Sequence, residues 1–272
     1  MTARSNELSV GELVLIIDNR DRRHLITLAA DGAFHSHAGV LDHSKMLGQP
    51  EGCEVATTKG QKFRVFRPTL EEFILSMPRG AQVIYPKDLG PMMMLADIAP
   101  GMKVFESGIG SGALSMTLLR AGADIVGYEL REDFAARAKK NVETFLGPEV
   151  LDRYQIEIRS AYESIDGNDF DRVMLDLPEP WQVVPHAEMA LKPGGVFMAY
   201  TPSITQASRL REALAHTRFT EMKTLEVLNR GWHIEGQAVR PDHRMVAHTA
   251  FLTRARLLAP TAGPPSVQAD HA

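Results

Sequence analysis

Two short stretches carry residues whose types and spacing could do chemistry. The first is Glu106-Ser107-Gly108-Ile109-Gly110-Ser111-Gly112, which joins an apolar strand pattern to a helical one. Glycines permit a tight turn and let a ligand approach the backbone, and a helix start offers free N–H groups. The spacing is Gly-x-Gly-x-Gly, not the Gly-x-Gly-x-x-Gly that cradles a dinucleotide pyrophosphate, and it suits a nucleoside with an amino-acid tail. Glu129 follows 21 positions after Gly108, at the end of the next strand pattern. A carboxylate there can accept hydrogen bonds from both ribose hydroxyls. Glu106 could hold a ligand ammonium, and its competing role is to cap the loop amides.

The second stretch is Asp176-Leu177-Pro178-Glu179-Pro180-Trp181. An Asp at the carboxyl end of a central strand lies where open α/β sheets bind ligands. The two prolines stiffen the loop and remove N–H donors. Trp181 adds a flat apolar surface. Together these residues could receive a purine: a carboxylate accepts from its exocyclic amine, and a ring walls the base. As N1 attacks an electrophilic methyl carbon, positive charge spreads to N6, and Asp176 would stabilise it or take the proton. The competing role for Asp176 is a helix N-cap.

Elements that could position these groups follow from periodicity. Strands are expected at 13–17, 24–28, 54–58 and 62–66, with a hairpin turn at Lys59-Gly60, forming a small β domain over residues 1–70. A helix at 69–77 and a linker punctuated by Pro78, Gly80 and Pro86 fill 71–88. From 89 to 258 strands and helices alternate. Strands are expected at 103–107, 124–128, 155–159, 172–177 and 196–200, then 221–228 and 245–253. Helices are expected at 113–121, 131–146, 183–191 and 205–216. Alternation of this kind implies an α/β fold with a mostly parallel sheet covered on both faces. Lys192-Pro193-Gly194-Gly195 reads as a helix stop and tight turn, and residues 259–272 as a disordered Pro/Ala-rich tail.

Composition sets the outer bounds. The 272-residue chain has a net charge of −4 and one cysteine, Cys53, which excludes an internal disulfide and a Cys-based zinc site. No histidine spacing suggests a metal. No apolar run nears the roughly 20 residues that cross a membrane. The first residues lack a signal-peptide pattern, so a cytoplasmic location is expected. The negative total conceals an uneven distribution. Residues 81–199 carry 11 basic and 18 acidic side chains, whereas 200–258 carry 9 and 5. That basic region could contact phosphates, or could be a solvated face.

The motifs resemble the tRNA (adenine-N1)-methyltransferases that make N1-methyladenosine in the T-loop. The resemblance covers nearly all of residues 10–256 and is carried by four stretches. They are Arg67-Pro68-Thr69-Leu70, the run MPRGAQVIYPKDLG from Met77 to Gly90, DLPEPW, and RPDHRMVAHTAFLT from Arg240 to Thr253. It implies a class I methyltransferase domain with a Rossmann-like seven-stranded sheet, a small N-terminal β domain, tRNA as partner, and a homotetramer. It implies S-adenosyl-L-methionine bound by Glu106, Ser107, Gly108, Gly110, Ser111, Gly112, Glu129, Leu130, Ser160, Ala161 and Asp176, with Asp88 and Leu89 near its methionine end. Asp176 and Tyr85 would be catalytic. Tyr85 would lie beside the target base, with Pro178 and Trp181 nearby, and Arg240, His243 and Arg244 would contact RNA.

The chain departs from the family at Ala161, where most relatives place an Asp that can bind the cofactor's adenine amine. Ser160, Glu163 or a backbone carbonyl must substitute. The connection Arg120–Asp124 is also shorter than usual. Three other readings stand against this one. They are an NAD-dependent oxidoreductase, disfavoured by the glycine spacing; a non-catalytic RNA-binding subunit, disfavoured because the cofactor motifs are kept; and an enzyme acting on positions 57 and 58 or on another substrate.

Overall fold

A computed structural model describes residues 5–80 and 82–260. The chain divides into two compact units, Met1–Pro78 and Arg79–Ala272. Of the tail expected at 259–272, residues 261–272 lie outside the described residues.

The first unit is built on four antiparallel strands in the order β2-β1-β6-β5. These are β1 (Leu13–Asp18), β2 (Arg23–Thr27), β5 (Glu54–Ala56) and β6 (Lys62–Phe66), and β3 (Ala33–Ser36) pairs with β4 (Gly39–Asp42) as a separate hairpin. Val14 through Asp18 are all buried, as befits a strand with a neighbour on each side. Strand β6 alternates exposed and buried residues, sending Phe63 and Val65 into a core with Leu8, Val14, Ile16 and Leu41. Helix α1 (Leu70–Ser76) begins on a capping box in which the Thr69 hydroxyl accepts from Glu72 N–H and the Glu72 carboxylate accepts from Thr69 N–H.

The second unit alternates helix and strand. Its elements run α2 (Pro86–Ala96), β7 (Lys103–Ser107), α3 (Ala113–Arg120), β8 (Asp124–Glu129), α4 (Glu132–Leu146), β9 (Tyr154–Ile158) and β10 (Phe170–Leu175). Then come α5 (Val184–Ala190), β11 (Leu191–Thr201), α6 (Ile204–Ala215), β12 (Phe219–Glu226), β13 (Trp232–Glu235), β14 (Ala238–Pro241) and β15 (Phe251–Leu257). Seven strands form one sheet in the order β12-β15-β11-β10-β7-β8-β9. Only β15 runs antiparallel to its neighbours. Phe105 on central strand β7 meets Tyr128 and Phe170 edge-on, at 4.9 and 5.6 Å between ring centroids. The connection order reverses between β7 and β10, so the crevice beyond their carboxyl ends is the place where such sheets take ligands.

Several local expectations change. Residues 86–88, expected as linker, start helix α2, because Pro86 occupies the first helical turn, where no N–H is needed. Lys192–Gly195 is not a free turn. It is an irregular part of β11, where Phe170 faces Leu191 and Arg172 faces Val196, so the extra residues loop out while pairing continues. The last strand starts at Phe251 rather than 245. The hairpins β3–β4 and β13–β14 were not expected from the pattern. Among the described residues no helix is long and apolar enough to cross a membrane.

Candidate active site

Gly108 leaves β7 with φ of +84°, and a Cβ there would fall 1.9 Å from the carbonyl oxygen of Asp176. Only glycine allows that approach. The neighbouring backbone is also paired, with Asp176 N–H donating to Ser107 O at 2.9 Å. The glycine turn and the acidic loop are therefore in direct backbone contact at the switch point. Gly112 has φ of +84° and would place a Cβ 3.2 Å from the Ala138 Cα, so it brings α3 close to α4. Gly110, with φ of +56°, has nothing within 4 Å of its would-be Cβ and faces open space.

Carboxylates surround this turn. Glu129 accepts from Gly110 N–H at 3.1 Å and from Arg131 N–H at 3.0 Å. Glu106 is 1% exposed and does not cap the loop amides. Both its oxygens accept from the Ser115 hydroxyl, at 2.9 and 2.8 Å, and Tyr154 OH donates to that same hydroxyl at 2.7 Å. Burial, reinforced by the charges of Asp176 and Glu129, pushes the Glu106 carboxyl up to about 8. Burial likewise pushes the half-buried Asp176 up to about 7. A site that raises two carboxyls in this way is one that a cation would relieve.

A shallow cleft beside the turn brings together Ser107, Gly108, Glu129, Leu130, Ser160 and Ala161, with Arg159, Tyr128, Tyr162 and Leu177. Its enclosed volume is only about 60 Å³, so it is a shelf with one side open, and Leu130 stands 63% exposed at the rim. The side chain at 161 is a buried methyl. Ser160 Oγ is engaged by Tyr162 N–H at 3.2 Å. Arg159 is clamped by Asp166, by Ser164 Oγ at 3.0 Å and by Tyr128 OH at 3.2 Å. Sequence reasoning missed Arg159, whose only signal was its place at the end of β9.

Tyr85 is the half-buried N-cap of α2. It and Asp176 share a neighbour that sequence reasoning also missed. Tyr200, at the end of β11, is pushed up by burial and then by the charges of Asp88, Asp176 and Tyr85, while it hydrogen-bonds Thr249. Asp88 is fully buried and its carboxylate is engaged: Oδ1 accepts from Lys87 Nζ at 2.8 Å and Oδ2 from Thr249 Oγ1 at 2.7 Å. Lys87 Nζ also donates to Thr249 Oγ1 at 2.6 Å and to Val227 O at 2.7 Å. Leu89 is buried in the same helix.

The remaining expected residues divide. Ser111 is buried and its carbonyl accepts from Asn141 at 3.0 Å. Pro178 is exposed. Trp181 is not an open wall: it sits in the 3-10 turn Pro180–Gln182, packs against the core, and carries the Arg209 guanidinium 4.3 Å above its ring. Arg240, His243 and Arg244 are exposed, on or just after β14. They lie in a segment that also exposes Trp232, Ile234 and Val239.

The strand order, the glycine turn at its switch point and the ring of carboxylates define a class I methyltransferase fold. A solved S-adenosylmethionine-dependent O-methyltransferase from Thermotoga maritima is similar at a TM-score of 0.89 and 30% identity, over 95% of this chain and 97% of that one. A solved tRNA (m1A58) methyltransferase from Aquifex aeolicus is similar at 0.82 and 29%, over 94% and 100%. The tRNA (adenine(58)-N(1))-methyltransferase TrmI of Thermus thermophilus is 38% identical, over 89% of this chain and 96% of its own length. The chain belongs to the family described as tRNA methyltransferase complex GCD14 subunit, matched over residues 62–256, with a TrmI-like N-terminal region over 7–55.

Proposed function

We propose that this protein transfers a methyl group from S-adenosyl-L-methionine to N1 of a tRNA adenosine, at T-loop position 58. The observation that carries the reading is the contact between Gly108 and Asp176: the turn that would cradle the cofactor touches the residue that would receive the base. Family membership and the adenosine-58 relatives support it.

Bound S-adenosylmethionine supplies an electrophilic methyl group on a sulfonium. Glu129 would accept from the ribose hydroxyls with the lone pairs left by its two amide partners. The Gly108–Gly112 backbone and Ser107 would lie along the nucleoside, with Leu130, Ser160 and Ala161 around the adenine. Without an Asp at 161, backbone polar groups take over recognition of the adenine amine. Asp176 accepts from the substrate N6–H and stabilises the charge that the ring gains as N1 is alkylated. A carboxyl near 7 is also matched to taking that proton at neutral pH. Tyr85 would stack on the target base, worth about 1–3 kcal/mol. Because T-loop adenosine is enclosed in folded tRNA, the base must be drawn out first.

Arg240, His243 and Arg244 would meet the RNA. The apolar side chains exposed on β13 and β14 support self-assembly, which we take to be a homotetramer, and the enzyme would act in the cytoplasm. The test is incubation with unmodified tRNA and labelled cofactor, followed by mapping of the methylated nucleoside. Label at position 58 is expected. Label at 57 as well would broaden the reading, and label only in small molecules or hydroxyl groups would overturn it. Failure to bind the cofactor in calorimetry would indicate a non-catalytic subunit.

A further inference from the structure

The first unit holds a cleft of about 510 Å³ whose lining includes none of the residues assigned above to chemistry. That volume lies in the roughly 300–1,000 Å³ range of small-ligand sites. Its lining includes Arg20, Arg22, Lys59, Lys62 and His37, with Gln61, and no carboxylate. Residues 1–78 carry 9 basic and 10 acidic side chains, so the unit as a whole is close to neutral and this gathering of cations is local.

The cleft is built rather than incidental. Asp18, at the end of β1, is 1% exposed and lies behind the wall. Its Oδ1 accepts from the backbone N–H of Arg20 at 2.8 Å and of Arg22 at 3.0 Å. Its Oδ2 accepts from Arg22 Nε at 2.7 Å and from Gln61 Nε2 at 3.1 Å. One buried carboxylate thus holds Arg20 and Arg22 of the β1–β2 turn and ties that turn to Gln61 of the β5–β6 turn. Burial works to raise Asp18, but hydrogen bonds from Arg22 and Arg20 outweigh it and hold it at about 2, so the clamp stays charged. Arg22 Nη2 lies 3.2 Å from His37 Nε2, and Lys59 Nζ reaches only the His37 carbonyl, at 3.5 Å. Lys62 meets Glu54 at 3.3 Å with both side chains largely exposed, a pair that binds weakly in water. The Arg20 guanidinium has no ion-pair partner among the described residues.

Guanidinium and ammonium donors converging from two turns match the oxygens of a phosphate. We propose that this cleft is a phosphate-binding site that holds the sugar-phosphate backbone of the RNA substrate. It rests on the function proposed above for the identity of the RNA. Neutralising phosphates releases counterions, so such a contact leaves a signature in the salt dependence of binding.

The experiment compares Arg20→Gln/Lys59→Gln with Lys139→Gln/Lys140→Gln, which removes equal charge from an exposed face of α4 in the second unit. Expected for the cleft variant is a tRNA Kd about tenfold weaker at about 0.1 M salt, and a shallower salt slope by about 1–2. Its KM for tRNA rises while kcat and cofactor affinity hold, and the α4 variant stays within about twofold of the parent. Equal losses in both variants, or none in either, overturn the proposal. Inorganic phosphate and pyrophosphate are titrated in parallel. Tight binding of either that vanishes in the cleft variant, with tRNA affinity unchanged, would overturn the RNA assignment in favour of a free phosphate compound. If the parent protein methylates no tRNA, the function proposed above fails, yet the binding comparison still decides the cleft.

Discussion

Glu106→Gln keeps the shape of a buried side chain and removes its titration. The folded protein holds the Glu106 proton up to about pH 8, whereas the unfolded chain releases it near the ordinary 4.5. Stability from this group is therefore whole below pH 4.5 and declines as pH rises through 8. At about 1.4 kcal/mol per pH unit, that interval amounts to roughly 4–5 kcal/mol, which relaxation around the charge reduces to roughly 2–4. The amide loses none of this. In a unit of this size 1 kcal/mol moves Tm by roughly 2–4 °C. Calorimetric melts of ligand-free protein from pH 5 to 8.5 should thus show the variant gaining on the parent by roughly 5–10 °C. Asp176 titrates in both proteins and drops out of the difference. A gap that stays constant with pH would refute the reasoning. A second readout is cofactor titration in buffers of differing ionisation enthalpy at pH 7. A cation brought to the carboxylates should expel close to one proton more from the parent than from the variant.

Asp176→Asn should lower kcat by about 100-fold or more, and parent activity should climb with pH through about 7 as Asp176 ionises. Initial rates from pH 5.5 to 9 check both. Gly108→Ala must strain a left-handed residue, about 1–2 kcal/mol, and drive a methyl into the Asp176 carbonyl. Its Tm and kcat should both fall. Gly110→Ala meets no neighbour and should lose about 1 kcal/mol, so its damage appears in cofactor affinity, and equal Tm values for the two would contradict the geometry. Lys87→Met strands the buried Asp88 charge and should destabilise by roughly 3–5 kcal/mol in urea titration.

What the sequence discloses and what it hides have physical causes. The glycine turn, Glu129 and Asp176 were legible because each sits at a strand end, and strand ends follow from apolar runs whose partners need not be known. Helix α2 was hidden because Pro86 and Pro91 look like breaks, although one lies in the first turn and the other is tolerated within the helix. The β13–β14 hairpin was missed although Ile234-Glu235-Gly236 carries its turn, with Gly236 at φ of +54°, because its strands have no buried face to impose alternation. Trp181 illustrates the limit on side chains: its loop could be placed, but not the Arg209 brought over its ring from α6. Tyr200 and Thr249 are far from Asp88 in sequence and meet it only through sheet order, which one sequence does not disclose.

The Lys87 ammonium touches Val227 O and the Thr249 hydroxyl, the two points where the chain departs from the sheet and comes back. It works as a drawstring on the purse formed by residues 228–248. With both edges cinched, extra loop length adds only slowly to the entropy of closure. Insertions or wholesale exchange inside the purse should leave β12 and β15 in register, which makes 228–248 the natural graft point for retargeting the protein.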